Sequence, residues 1–115
     1  MVLGLAGSHA KKRQICPKES HAKRVLAPQV KRNVAVRLTG TVTPIPTAAW
    51  RVLVVIRRCV DGSYTGVWKG RVAGVRTGKF NTSYTPRLAG LYVVQAKFGV
   101  KPNRIDSNKV YFGST

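Results

Sequence analysis

Few residues in this chain could do acid–base, nucleophilic or metal chemistry. Its 115 residues include only three carboxylates, at Glu19, Asp61 and Asp106, and two histidines, at His9 and His21. The carboxylates are far apart in the sequence, so they offer no acid–base pair, and Asp61 with the glycine after it is typical of a hairpin turn. Both histidines precede the first strand pattern. The sequence therefore predicts no catalytic group, no cofactor and no enzyme activity.

The two cysteines, Cys16 and Cys59, are also far apart. No CxxC pair or Cys/His cluster has the spacing of zinc ligands, so no metal site is predicted. Either the two cysteines form a disulfide that fastens the first part of the chain to the rest, or both are reduced thiols. The sequence leaves both alternatives open.

Charge is the most unusual property of the composition. Lys and Arg total 21 against three acidic residues, which gives a formal net charge of +18. Ordinary protein surfaces mix both signs, whereas a single-sign surface repels itself and favours a polyanionic partner. The candidates are an acidic protein surface, nucleic acid, an anionic cell wall and an anionic membrane.

The sequence predicts neither a transmembrane segment nor a typical signal peptide. No run of about 18 apolar residues is present, so no transmembrane segment is predicted. Residues 1–10 are apolar and end in small residues, but they lack the basic start of a signal peptide.

Residues 1–33 are predicted to form a basic extended arm that becomes ordered on a partner. They hold eight basic residues and one acid. Pro17 and Pro28 interrupt any helix, and no apolar periodicity persists. The alternative is a tail that stays flexible. The candidate partner-binding residues of the arm are its clustered bases, Lys11, Lys12, Arg13, Lys23, Arg24, Lys31 and Arg32.

Residues 34–115 are predicted to form one all-β domain. Apolar and polar residues alternate with period two over residues 34–39, 80–85 and 91–98. The Asp61-Gly62 pair marks a hairpin turn, Thr77-Gly78 marks another turn, and residues 101–106 are polar. This pattern predicts about seven short strands with turns every 8–12 residues, which is typical of a β-sandwich.

The longest strand, predicted over Trp50–Val60, offers a candidate contact patch. Trp50, Val52, Val54 and Ile56 fit one inward face. Leu53 and Val55 then point outwards, where the arm, a partner or nothing covers them. The candidate partner-binding residues of this strand are Arg51, Leu53, Val55, Arg57 and Arg58.

Several motifs resemble the immunoglobulin-like and fibronectin-type modules of bacterial surface proteins and phage virions. They are Gly40-Thr-Val-Thr-Pro44, Arg51-Val-Leu-Val-Val-Ile-Arg57, Trp68, Thr77-Gly-Lys-Phe80, Ser83-Tyr-Thr-Pro86 and Leu88-Ala-Gly-Leu-Tyr92-Val-Val-Gln-Ala96. The resemblance covers about residues 36–112 and implies an immunoglobulin-like β-sandwich with a tyrosine corner at Tyr92. Val94 stands where antibody domains have a cysteine, so their inter-sheet disulfide is not expected.

The sequence favours a structural binding protein that docks on an acidic macromolecular surface within a multi-subunit assembly. The most specific version of this hypothesis is a capsid decoration (cement) protein on the surface of a phage or virus particle. One alternative is a nucleic-acid-binding protein that uses the basic arm. Others are an extracellular or cell-envelope adhesion module and a membrane-surface binder, which needs only the charge.

Overall fold

The computed structural model describes residues 1–18, 23–99 and 103–115, and it is all-β over these residues. Glu19, His21 and the first two residues of the polar segment 101–106 lie outside the described residues. The strands are β1 (Val2–Leu5), β2 (Lys11–Gln14), β3 (Val25–Val30), β4 (Val36–Thr41), β5 (Arg51–Val60), β6 (Ser63–Ala73), β7 (Lys79–Tyr84), β8 (Gly90–Phe98), β9 (Ile105–Asp106) and β10 (Val110–Ser114).

The strands form two sheets. The small sheet has the order β1-β4-β7, and the large sheet has the order β2-β3-β10-β8-β5-β6, with β9 paired to β8. Every pairing is antiparallel except that of β3 with β10, which is parallel. This arrangement agrees with the all-β, sandwich-like prediction. It also agrees with the strands predicted over residues 50–60 and 91–98.

The core lies between the two sheets and follows from the period-two pattern. Val52, Val54 and Ile56 on β5 are fully buried, as the alternation predicted. Tyr92 on β8 stacks on Phe112 of β10, with ring centroids 4.8 Å apart. Burying an aliphatic or aromatic side chain of this size contributes about 1.5–3 kcal/mol, so these rows fix which face of the large sheet turns inwards.

The hairpin of β5 and β6 contains a turn and a bulge. Asp61 and Gly62 both have positive φ, 47° and 88°, as a two-residue hairpin turn requires. Arg57 pairs with Gly66, and its neighbour Ile56 pairs with Trp68. The register of β6 therefore shifts by one residue between these two pairs. Because successive side chains alternate between faces, this bulge decides which face the rest of β6 presents.

The described residues of the segment 1–33 form strands instead of a free arm. β1 pairs with β4 in the small sheet, and β3 pairs with β10 in the large sheet. Leu3, Ala27 and Val30 are buried. Each of these strands is too short to show a lasting periodicity, and each gains its apolar contacts from distant parts of the chain. The proposed division after residue 33 stays a prediction.

The hydrogen bond expected of the corner tyrosine is present. Tyr92 Oη donates to the carbonyl oxygen of Leu88. Burial raises the pKa of the Tyr92 hydroxyl above its ordinary value of 10.0, so the native state holds the neutral phenol.

Replacing Tyr92 with phenylalanine is expected to lower the free energy of unfolding by about 1 kcal/mol. The ring keeps its stacking partner, but the Leu88 carbonyl loses its donor. Because the folded-state pKa is raised, the wild type should also lose stability as the pH rises above 10.0, and the variant should lose less. Urea denaturation at neutral and alkaline pH measures both effects. Tyr84→Phe is the control for the hydrogen bond at neutral pH only, because burial raises the pKa of the Tyr84 hydroxyl as well. Equal stability of the two variants at neutral pH would contradict this role for the Tyr92 hydroxyl.

Candidate binding face

The outer face of the large sheet gathers most of the residues predicted in the long strand. The strand registers place alternate residues of β5, β6, β8 and β10, with the residue just before β10, on one surface. We call this surface the basic face. Its residues are Arg51, Leu53, Val55, Arg57, Lys69, Arg71, Val93, Gln95, Lys97, Lys109 and Tyr111.

Apolar and cationic side chains are neighbours in the rows that cross the basic face. Leu53 pairs with Arg71 on one side and with Lys97 on the other. Adjacent strands are about 4.8 Å apart, so these two cations flank the leucine at about 10 Å from each other. The next row places Val55 between Lys69 and Gln95 in the same way.

The basic face carries six cations and is bordered by one carboxylate. The nearest acid in the sheet register is Asp106 on β9, which pairs with Lys97. Its carboxylate lies 3.2 Å from Arg104 Nε, so much of its charge is compensated locally. A predominantly positive face attracts an oppositely charged surface and accelerates encounter with it.

An apolar stripe runs through the middle of this charge. Leu53 and Val55 are half-buried, and Val93 is 8% exposed. The aliphatic stems of Lys and Arg commonly cover apolar neighbours while their charged ends stay in water. The outward Leu53 and Val55 are thus partly shielded and can still contact a partner.

A disulfide covers the other end of the same outer surface. Cys16 and Cys59 are bonded, with their Cα atoms 5.6 Å apart. Around them Cys16, Ala27 and Leu91 form a second buried cluster outside the main core, with Tyr64 and Tyr111 packed against it. Of the two alternatives for the cysteines, the structure therefore has the disulfide. This bond joins the chain just after β2 to β5 across the large sheet.

The structure separates Arg58 from the other residues predicted in the long strand. Arg58 pairs with the buried Tyr92 and so lies on the opposite side of β5 from Arg57. Its Nε donates to the Ala89 carbonyl oxygen at 2.9 Å. This contact holds Arg58 at the loop before β8 and not on the basic face, so its candidate role in partner binding stays a prediction.

The seven clustered bases of residues 1–33 lie elsewhere on the surface. Lys11, Lys12 and Arg13 are exposed on β2, the edge strand at the far side of the large sheet. Four strand spacings, about 19 Å, separate β2 from β5. The remaining four are exposed at the two ends of β3, namely Lys23, Arg24, Lys31 and Arg32. The structure therefore does not bring these bases together with Arg51 and Arg57.

Four cations of the basic face were not predicted as site residues. Lys97 could have been found, because the alternation of residues 91–98 places it beside Val93 and Gln95 on the outward side. Lys109 immediately precedes β10 and carried no comparable pattern. Lys69 and Arg71 reach this face only because of the bulge in β6.

No protein-family model matches the chain, and no curated protein matches its sequence. Within residues 1–18, 23–99 and 103–115, no three His, Cys, Asp or Glu side chains are grouped as a metal ion would need. No helix in the described part of the chain has the length and apolar character needed to cross a membrane.

Proposed function

We propose that this chain is an immunoglobulin-like module that docks, without catalysis, on an acidic protein surface within a multi-subunit assembly. In its most specific form it is a decoration protein on the shell of a phage or virus. The basic face is the docking surface, and the exposed bases of β2 extend the positive field along the sheet.

Strand order and the corner tyrosine support the immunoglobulin-like assignment. Immunoglobulin sandwiches pack a sheet containing three central antiparallel strands against a second sheet. Here β5, β8 and β10 are consecutive neighbours, and β4 and β7 lie in the opposite sheet. The Tyr92–Leu88 hydrogen bond at the start of β8 has the position of a tyrosine corner.

The observation that carries the proposal is the apolar stripe within the cations of the basic face. Protein interfaces combine an apolar centre with a polar, charged rim, and the row Arg71–Leu53–Lys97 has that order. Single-stranded nucleic acid needs exposed aromatic rings for stacking. The aromatic rings on this side, Tyr64 and Tyr111, contact each other edge-on, with centroids 6.3 Å apart. The arrangement favours an acidic protein over nucleic acid.

The disulfide supports a location outside a reducing cytosol. Disulfides persist in extracellular, periplasmic and virion-surface proteins and are rare where glutathione keeps thiols reduced. The Cys16–Cys59 bond closes a loop of 43 residues and fastens a buried cluster. We propose a virion surface as its location, with the extracellular space or cell envelope as the alternative.

Zero-length cross-linking tests the docking proposal. Particles, envelopes and nucleic-acid complexes from cells that make the chain would be treated with a carbodiimide, which joins lysine amines to carboxylates in contact. We expect Lys69, Lys97 and Lys109 to cross-link to acidic residues of one shell protein, at a fixed ratio of the two chains. Lys79, which lies on the outer side of the small sheet, is the internal control and should remain unlinked.

Two other results of the cross-linking experiment would contradict parts of the proposal. Recovery of the same three lysines linked to an envelope protein would support the docking mode and overturn the shell assignment. Recovery of the chain only with nucleic acid, lost on nuclease treatment, would overturn docking on protein.

A further inference from the structure

A small notch interrupts the basic face between β5, β8 and β10. It has a volume of about 100 Å³. The cations at the notch are Arg57, which is half-buried, and Lys109, which is exposed. Their strands are two spacings apart, about 10 Å, so both side chains can reach one small group placed between them.

The other residues that line the notch are two valines and three polar residues whose side chains are restrained by contacts. Val55 and Val93 contribute its apolar surface, and Tyr64 and Tyr111 border it with rings already in contact. Gln95 is the remaining lining residue, and its Nε2 donates to the Ser107 carbonyl oxygen at 3.0 Å. Tyr111 also packs against the cluster around the disulfide. A site with restrained walls loses little conformational freedom on binding.

We propose that the notch receives one glutamate or aspartate side chain of the docked protein. The carboxylate lies between Arg57 and Lys109, and the methylene groups contact Val55 and Val93. This inference rests on the proposed function, and it identifies the anchor of the docking contact. The other cations of the basic face contribute long-range attraction, whereas the notch selects an amphipathic acidic side chain.

The size and lining of the notch favour a carboxylate side chain over other anions. Its volume of about 100 Å³ admits a carboxylate with one or two methylenes. The apolar surface of Val55 and Val93 gains contact area from methylenes, which inorganic phosphate lacks. Binding energy at interfaces concentrates in a few such central, well-packed pockets.

A titration followed by NMR tests the notch directly. The probe is N-acetylglutamate amide, and its neutral isostere N-acetylglutamine amide is the matched control. We expect the glutamate probe to shift the Arg57 Nε–H signal and the signals of Tyr111, and the glutamine probe to leave them unchanged. Arg57→Gln should weaken binding of the glutamate probe by about tenfold or more, whereas Lys79→Gln, on the outer side of the small sheet, should change it by about twofold or less.

The alternative results separate this inference from the proposed function. Equal shifts at all six cations, or equal losses in the two variants, would overturn the notch as an anchor while leaving the basic face intact. Inorganic phosphate binding in the notch more tightly than the glutamate probe would overturn the assignment to a carboxylate side chain. The proposed function itself fails on a different measurement, the absence of protein cross-links at Lys69, Lys97 and Lys109.

Discussion

Reversing Arg51, Lys69 and Arg71 to glutamate is expected to weaken docking on the acidic partner by at least about 100-fold, or about 2.7 kcal/mol. All three side chains are exposed, so the substitutions leave the core unchanged. Each reversal removes an attraction and adds a repulsion between like charges, which costs more than neutralisation. The measurement is the dissociation constant for the partner found by cross-linking, determined in low salt and in high salt. High salt should reduce the difference in dissociation constant between the variant and the wild type, because salt screens exposed charges.

The opposite sheet supplies a matched control. Arg37, Arg76 and Lys79 are also exposed, and Arg37 and Lys79 lie on the outer side of the small sheet. Reversing these three changes the net charge by the same amount, from +18 to +12. We expect the control variant to bind within about threefold of the wild type, since a distant charge affects mainly the rate of encounter. Similar losses in both variants would show that total charge, and not the basic face, governs binding.

The central strands of the fold were predictable because their burial follows a simple rule. Period-two alternation placed Val52, Val54 and Ile56 inwards, and these side chains are fully buried. The Asp61-Gly62 pair predicted the hairpin turn, since few other pairs adopt two positive φ angles easily. Local chemistry was sufficient for both features.

The register of β6 was not predictable from the turn alone. Counting outward from Asp61-Gly62 without a bulge would place Trp68 opposite Val55 and Lys69 opposite Val54. The observed pairs are Val55 with Lys69 and Ile56 with Trp68. The one-residue shift moves Lys69 and Arg71 from the side of Val54 to the side of Val55. No local feature of the sequence marks where such a bulge falls, so the turn alone could not place these two cations on the basic face.

The strands of residues 1–33 were hidden for a different reason. The parallel pairing of β3 with β10 joins Gln29 to Gly113, and β1 pairs with β4 across a long stretch of chain. Such contacts leave no periodic signal within a strand of four to six residues. The basic clusters dominated the local composition, and they predicted an arm where distant apolar contacts and the disulfide hold strands.

Replacing both Cys16 and Cys59 with alanine is expected to lower the free energy of unfolding by about 2–4 kcal/mol. The bond closes a loop of 43 residues, and removing it enlarges the conformational freedom of the unfolded chain. The midpoint of thermal unfolding should fall by about 10 °C or more. Calorimetry of the variant, and of the wild type with and without a reducing agent, measures the effect.

The same substitution should also loosen the notch, because the cluster around the disulfide supports one of its walls. Tyr64 and Tyr111 pack against Cys16, Ala27 and Leu91, so losing the cross-link frees the outer side of both rings. We expect weaker binding of the glutamate probe in the cysteine variant even below its unfolding temperature, and unchanged NMR chemical shifts in the core around Val54. Full probe affinity in a destabilised variant would limit the disulfide to a stabilising role. Unchanged stability would instead show that the buried cluster alone holds the N-terminal strands in place.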